Sequence, residues 1–128
     1  MSSILTCGVK VIVESFYQPE YSNPFSGEYM FAYRITIENH NSYAIRLLKR
    51  HWQIFDSTGG YKAVDGDGVV GVQPIIQPGE FYQYTSGCNL QSEVGQMEGY
   101  YVFENLNNLQ QFKASIPRFG LIAPFKHN

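Results

Sequence analysis

Residues 66–71 read Gly-Asp-Gly-Val-Val-Gly, a GxGxxG string whose chemistry depends on what flanks it. Between a strand and a helix, such glycines admit a pyrophosphate onto the helix N-terminus. Here Pro74 and Pro78 follow within a few residues, so no helix can start and run where the motif requires one. Asp65 and Asp67 also place two negative charges beside the position a phosphate would take. The string therefore reads as a surface connection in an all-β domain, with glycines that serve positive φ or close approach of a neighbour. The functional alternative is a cradle of backbone N–H groups at Gly66, Gly68 and Gly71 that receives an anion or a partner's carboxylate.

Other residue types offer less. Asp65 and Asp67 are the weak candidates for a divalent cation, but two carboxylates suit only a hydrated magnesium and fall short of the roughly 6–8 oxygens calcium takes. Cobalt prefers imidazole or thiolate, and His40, His51, His127, Cys7 and Cys88 stand singly with no ligand spacing. No metal site, no cofactor and no catalytic residue is expected. His40 ends a strand at a polar corner, and His51 precedes Trp52 on a strand, so the imidazole and the indole point to opposite faces. Neither has a nucleophile-elbow Ser or Cys beside it in sequence.

The elements that would position these residues are strands. Tyr29, Phe31, Tyr33, Ile35 and Ile37 alternate with Met30, Ala32, Arg34, Thr36 and Glu38, the period of two of a strand with one buried face. Val9, Val11 and Val13 mark an earlier strand. Ile45 to Phe55 gives a third, broken at Leu47-Leu48 in a way that predicts a bulge or a bend. Asp56 to Gly60 makes a hairpin turn before a short strand from Tyr61 to Val64. Pro78-Gly79 turns into a strand from Glu80 to Ser86, and two more, Gly99 to Glu104 and Gln111 to Ile116, flank a turn at Asn107-Asn108. About seven strands without a helical period predict an antiparallel β-sandwich of immunoglobulin or fibronectin type III shape, with a small closed barrel as the rival. Trp52 belongs in its core. The aromatic loop from Phe16 to Phe25 is expected to plug one end of the sandwich, a binding hot spot being the other reading. The stretch from Pro117 to Phe125, apolar but interrupted by proline, is expected to cover an open edge or a second subunit instead of forming a central strand.

A length of 128 residues fits a single domain spanning 1–128. Nine basic against eleven acidic residues give a net charge of -2, which leaves no basic footprint for nucleic acid, and none is expected as a partner. The two cysteines have no CxxC spacing, which favours a reduced cytoplasmic location while leaving a disulfide between them open. No apolar run is long enough to span a membrane, and Met1 to Lys10 lacks the signature of an export signal.

Several segments resemble the bacterial ApaG family, also called CorD, over nearly the whole chain: SFYQPEYSNP at 15–24, YMFAYRITIENHN at 29–41, RHWQIFD at 50–56, DGDGVVGVQPIIQPGEFYQYTSGC at 65–88 and IAPF at 122–125. The resemblance implies a fibronectin type III-like sandwich without established catalytic activity. Related domains in eukaryotic F-box proteins and in a polymerase-delta-interacting protein look like protein-interaction modules. The family is associated with cobalt resistance and magnesium efflux, and its gene neighbours a diadenosine tetraphosphatase. The family's glycine motif matches Gly66, Gly68 and Gly71. The expected function is a non-enzymatic interaction module with a protein partner, acting as a monomer or homodimer. The alternative is a sensor or weak enzyme for a phosphate or nucleotide ligand, with a hydrated cation bridging to Asp65 or Asp67.

Overall fold

The computed structural model describes residues 1–124 and shows an open, all-β antiparallel sandwich. One sheet has four strands, β1 (Ser2–Thr6), β2 (Val9–Tyr17), β3 (Tyr29–Asn39) and β7 (Phe81–Leu90), in the order β1-β2-β3-β7. The other runs β5 (Gly60–Asp67), β4 (Ile45–Asp56), β8 (Val94–Asn105) and β9 (Gln111–Ile122), with the short β6 (Ile75–Ile76) on the flank of β4. The expected sandwich stands, with nine strands among the described residues in place of about seven.

The period of two in β3 becomes strict inside/outside alternation, with Phe31, Tyr33, Ile35 and Ile37 buried and their neighbours half-buried. Valines 9, 11 and 13 of β2 join them, as do Ile45, Leu47, Trp52 and Ile54 of β4 and Met97, Tyr101 and Phe103 of β8, in one cluster between the sheets. Each such side chain contributes about 1.5–3 kcal/mol when fully removed from water. Trp52 is 3% exposed and meets Tyr33 and Phe119 edge-on, with ring centroids 5.4 and 5.9 Å away. The core assignment from sequence is correct. Asn39 is buried yet satisfied: its amide donates to the Tyr43 and Ile76 carbonyls at 2.8 and 3.0 Å, and its oxygen accepts from the Asn41 N–H. Of the bulge or bend expected at Leu47-Leu48, the structure has the bulge, a register shift against β8 between Leu47 and Lys49.

Three expectations are revised. Gly99–Glu104 is part of a strand that begins at Val94, and Tyr61–Val64 continues to Asp67, so the first residues of the glycine string lie on β5 and not in a connection. The tail from Pro117 to Ile122 is itself the second half of β9, the edge strand of its sheet, with Phe119, Leu121 and Ala123 buried. Proline is tolerated there because the β8–β9 register shifts between Met97 and Gly99, which leaves Pro117 and Arg118 outside the regular pairing. Phe125 and His127 lie outside the described residues. The third concerns the loop before β3, described below.

The two long flanks of the sandwich differ. On one, β9 packs against β1 and β2, and Ser15 Oγ donates to the Gly120 carbonyl at 3.1 Å. On the other, β5 and β7 do not pair, and a side opening of about 280 Å³ reaches the core between them.

Candidate functional site

The glycine segment is built around one cation. Gly66 lies opposite Arg50 in the β4–β5 ladder, and the Arg50 guanidinium crosses the space a Cβ would occupy, with its atoms 2.6 Å from that position. Arg50 Nη1 then donates to the carbonyls of Asp67 and Gly68 at 2.9 and 3.0 Å. Gly68 has φ +58, and a Cβ there would sit 2.0 Å from the Val72 carbonyl oxygen. Val69 and Val72 exchange both backbone hydrogen bonds at 2.8 and 3.1 Å, closing a two-residue hairpin over Val70 (φ 46) and Gly71 (φ 79). Positive φ at both central positions is the type I′ geometry. A β-branched residue in the first of them is a strained choice.

Within this arrangement the Gly68 N–H is spent on the Leu48 carbonyl at 2.8 Å, and the Val69 and Val72 N–H groups are spent on each other's carbonyls. Each glycine thus has a structural use that requires no ligand. No helix follows, in keeping with the prolines.

Asp65 and Asp67 project from the same face of β5, two residues apart. Asp65 is engaged: its carboxylate pairs with His51 Nδ1 at 2.6 Å across the ladder. The His51 ring stacks on Tyr100 at 4.8 Å, and Lys113 Nζ lies 4.5 Å from the Tyr100 centroid. Lys49, His51, Asp65 and Tyr100 line a shallow cleft of about 300 Å³ on the outer face of the five-stranded sheet. His51 does face away from Trp52. Neither a serine nor a cysteine is hydrogen-bonded to its ring among the described residues. His40 is exposed and pairs with Glu38 at 2.9 Å. No group of three or more His, Cys, Asp or Glu among the described residues is placed to hold a metal ion.

Buried titratable groups are structural in their surroundings. Tyr84 and Tyr101 share a hydrogen bond between their hydroxyls, and burial pushes both phenols well above the ordinary tyrosine range. Burial likewise pushes the Cys88 thiol up to about 11, which makes it a poor nucleophile at neutral pH. Cys7 is exposed and Cys88 buried, and both are free thiols. Asp56 ties two turns together. Burial raises its carboxyl, but the Gln91 N–H, the Ser92 hydroxyl and the N–H and hydroxyl of Thr58 outweigh this and hold it below the ordinary carboxylate range.

The connection from β2 to β3 does not plug the sandwich. Tyr17 alone of its early aromatics turns in, onto Phe31 at 5.4 Å. Phe16 is 42% exposed, Tyr21 74% and Phe25 fully exposed. The loop needs no core contact from them because it braces itself. Two 3-10 turns, Pro19–Tyr21 and Pro24–Ser26, each begin on proline, Asn23 and Glu28 form a bridge, and Ser22 Oγ donates to the Gln18 carbonyl and accepts from the Met30 N–H.

A braced aromatic loop on an open, packed β-sandwich defines the class of small β-sandwich domains that carry loops and edges on a packed core. Comparison with known proteins narrows the class. The pattern of the ApaG domain matches residues 19–105, and the chain is 43% identical over 124 residues to the protein ApaG of Brucella canis, covering 97% of this chain and 95% of that one. It is 41% identical to the ApaG of Sinorhizobium fredii over the same shares. A Bordetella pertussis protein crystallised under the name ApaA superposes with a TM-score of 0.86 at 40% identity, covering 91% of this chain and 94% of that one. An Archaeoglobus fulgidus protein shares the fold at 6% identity with a TM-score of 0.53. The chain belongs to the ApaG family.

Proposed function

We propose that this chain is a protein-interaction module whose principal recognition surface is the β2–β3 connection. The observation that carries the reading is the exposure of Tyr21 and Phe25 on a loop held by its own hydrogen bonds. Large aromatics left in water lose the free energy their burial would contribute, and a partner that covers them recovers it. Because the loop is already ordered, little conformational entropy is lost on binding. The mechanism is surface complementarity without a covalent step. On this reading any effect on cobalt or magnesium handling runs through the partner.

The test is affinity capture on the immobilised chain, run in parallel with a Tyr21→Ser/Phe25→Ser double variant and with an exposed control, Leu109→Ser. Proteins retained by the parent and the control should be lost from the double variant, at a cost of about 2–4 kcal/mol of binding for paired aromatic anchors. The same set retained by all three would overturn the reading. One observation favours a phosphate-bearing ligand instead, the grouping of Lys49, Arg50 and His51 around the cleft beside Gly66. Titration with pyrophosphate and magnesium would then shift amides at 65–73.

A further inference from the structure

The four-stranded sheet ends on β7, whose sole partner among the described residues is β3. Hydrogen-bond direction along β3 decides which backbone groups of β7 are left over. His40 N–H donates to the Gly8 carbonyl and the Met30 carbonyl accepts from Gln18, so even-numbered residues of this run turn towards β2. Asn39 N–H donates to the Glu80 carbonyl, so odd-numbered ones turn towards β7. In an antiparallel pair the N–H and C=O of a residue point the same way and alternate along the strand. With Ile37 opposite Tyr82 and Ile35 opposite Tyr84, the N–H and C=O groups of Phe81, Gln83, Thr85, Gly87 and Asn89 point away from the sheet.

Edges of this kind are normally blunted by charge, proline, bulges or shortness. Three of the four edges here are. β1 has five residues, β5 carries Lys62, Asp65 and Asp67, and β9 carries Lys113, Arg118 and Pro117 at its bulge. β7 is ten residues long, contains no charged residue and no proline, and keeps an unbroken register. Beside it lies the side opening, floored by Tyr33, Trp52 and Met97 and rimmed by Arg50 and Lys62 with no carboxylate in its lining. Neither cation is in an ion pair among the described residues.

We propose that β7 is a strand-addition site for an extended peptide segment of a partner protein. An apolar side chain of the added strand enters the opening over Trp52, and a neighbouring carboxylate meets Arg50 and Lys62. The backbone edge supplies affinity and the opening supplies selectivity, as in other complexes formed by strand addition. The two cations argue for a peptide over a second copy of this chain, since a two-fold pairing of β7 with itself would bring both Arg50–Lys62 pairs to one seam. The surface is separate from Tyr21 and Phe25, so this inference and the loop reading can fail independently.

The experiment uses the isotope-labelled full chain and a library of acetylated, amidated eight-residue peptides, threonine at alternate positions and random at the others. Selected peptides should carry Asp or Glu near an apolar residue and shift the amides of Phe81, Gln83, Thr85, Gly87 and Asn89. Thr85→Pro removes an N–H that serves no ladder bond, so the variant should fold and bind at least about tenfold more weakly. Methylating the peptide's own alternate backbone nitrogens should give the same loss with the protein unaltered. Lys62→Ala should reduce the preference for Glu over Gln. Shifts that map elsewhere, no bound peptide, or equal binding by Thr85→Pro and by methylated peptides would overturn the proposal. Concentration-dependent self-association abolished by Thr85→Pro would overturn it in favour of a second copy.

Discussion

Alanine placed in turn at Gly66, Gly68 and Gly71 should separate a structural motif from a ligand cradle, because the three positions have different surroundings. At Gly68 an alanine adopts φ +58, at about 1–2 kcal/mol for an L-residue. Its Cβ would also stand 2.0 Å from the Val72 carbonyl oxygen, a backbone atom that cannot rotate away. Relief requires the hairpin to open and strains the two Val69–Val72 hydrogen bonds, each contributing about 0.5–1.5 kcal/mol. The sum is about 2–5 kcal/mol. At Gly71 the φ of +79 carries a cost, but nothing lies within 4 Å of the new Cβ, so about 1 kcal/mol is expected. At Gly66 the obstacle is the end of the flexible Arg50 side chain, which can swing out into solvent where water replaces its bonds to two carbonyls at the surface, so about 1 kcal/mol is expected. Urea denaturation measures all three. Gly68→Ala should stand apart by at least about 1 kcal/mol, or roughly 3–5 °C in melting temperature for a chain of this size. Three equal and small losses would refute the steric account.

Trp52→Ala removes a side chain that is 3% exposed and edge-packed on Tyr33 and Phe119; a loss of about 3–5 kcal/mol is expected, read as a lower urea midpoint, and a near-parental melt would remove Trp52 from the core. Asp56 has a folded-state pKa below its unfolded value, so its contribution is present at neutral pH and is lost as pH falls from about 3.9 through the folded value. The melting gap between the parent and Asp56→Asn should therefore close in acid, and a gap constant from pH 7 to pH 2 would sink the assignment.

What the sequence shows about this fold follows how local each cause is. The strand β3 is legible because each buried residue announces itself two positions from the next. The bulge in β4 is legible for the same reason, as two adjacent leucines. β1 is not, since Ser2–Thr6 shows no buried face and is a strand because β2 offers it a ladder. Pro117 misled by the rule that proline ends a strand, when a register shift had already removed the ladder bond it would cost. The outward turn of Tyr21 and Phe25 depends on hydrogen bonds from Ser22 and Asn23 that composition does not specify. The candidate sites are less legible still. Arg50 meets Gly66, and His51 meets Asp65, through cross-strand register, and Val70 gives no sign of its left-handed backbone.

The glycine string and the bare edge meet at Arg50. With a side chain at 66 the guanidinium would be displaced, and the carbonyls of Asp67 and Gly68 would lose the donor that holds the start of the hairpin to β4. With glycine there, the same cation is pinned at the rim of the opening beside Trp52, its long side chain already ordered before anything binds. A free lysine would have to lose about 2 kcal/mol of rotamer freedom to take up that position. A GxGxxG that cradles phosphate works by aiming N–H groups at an anion. This one has its Gly68 N–H engaged, and it fixes a guanidinium instead. The electrostatic outcome, a stationary positive charge at a concave surface, is common to both, which is why the string alone does not tell one use from the other.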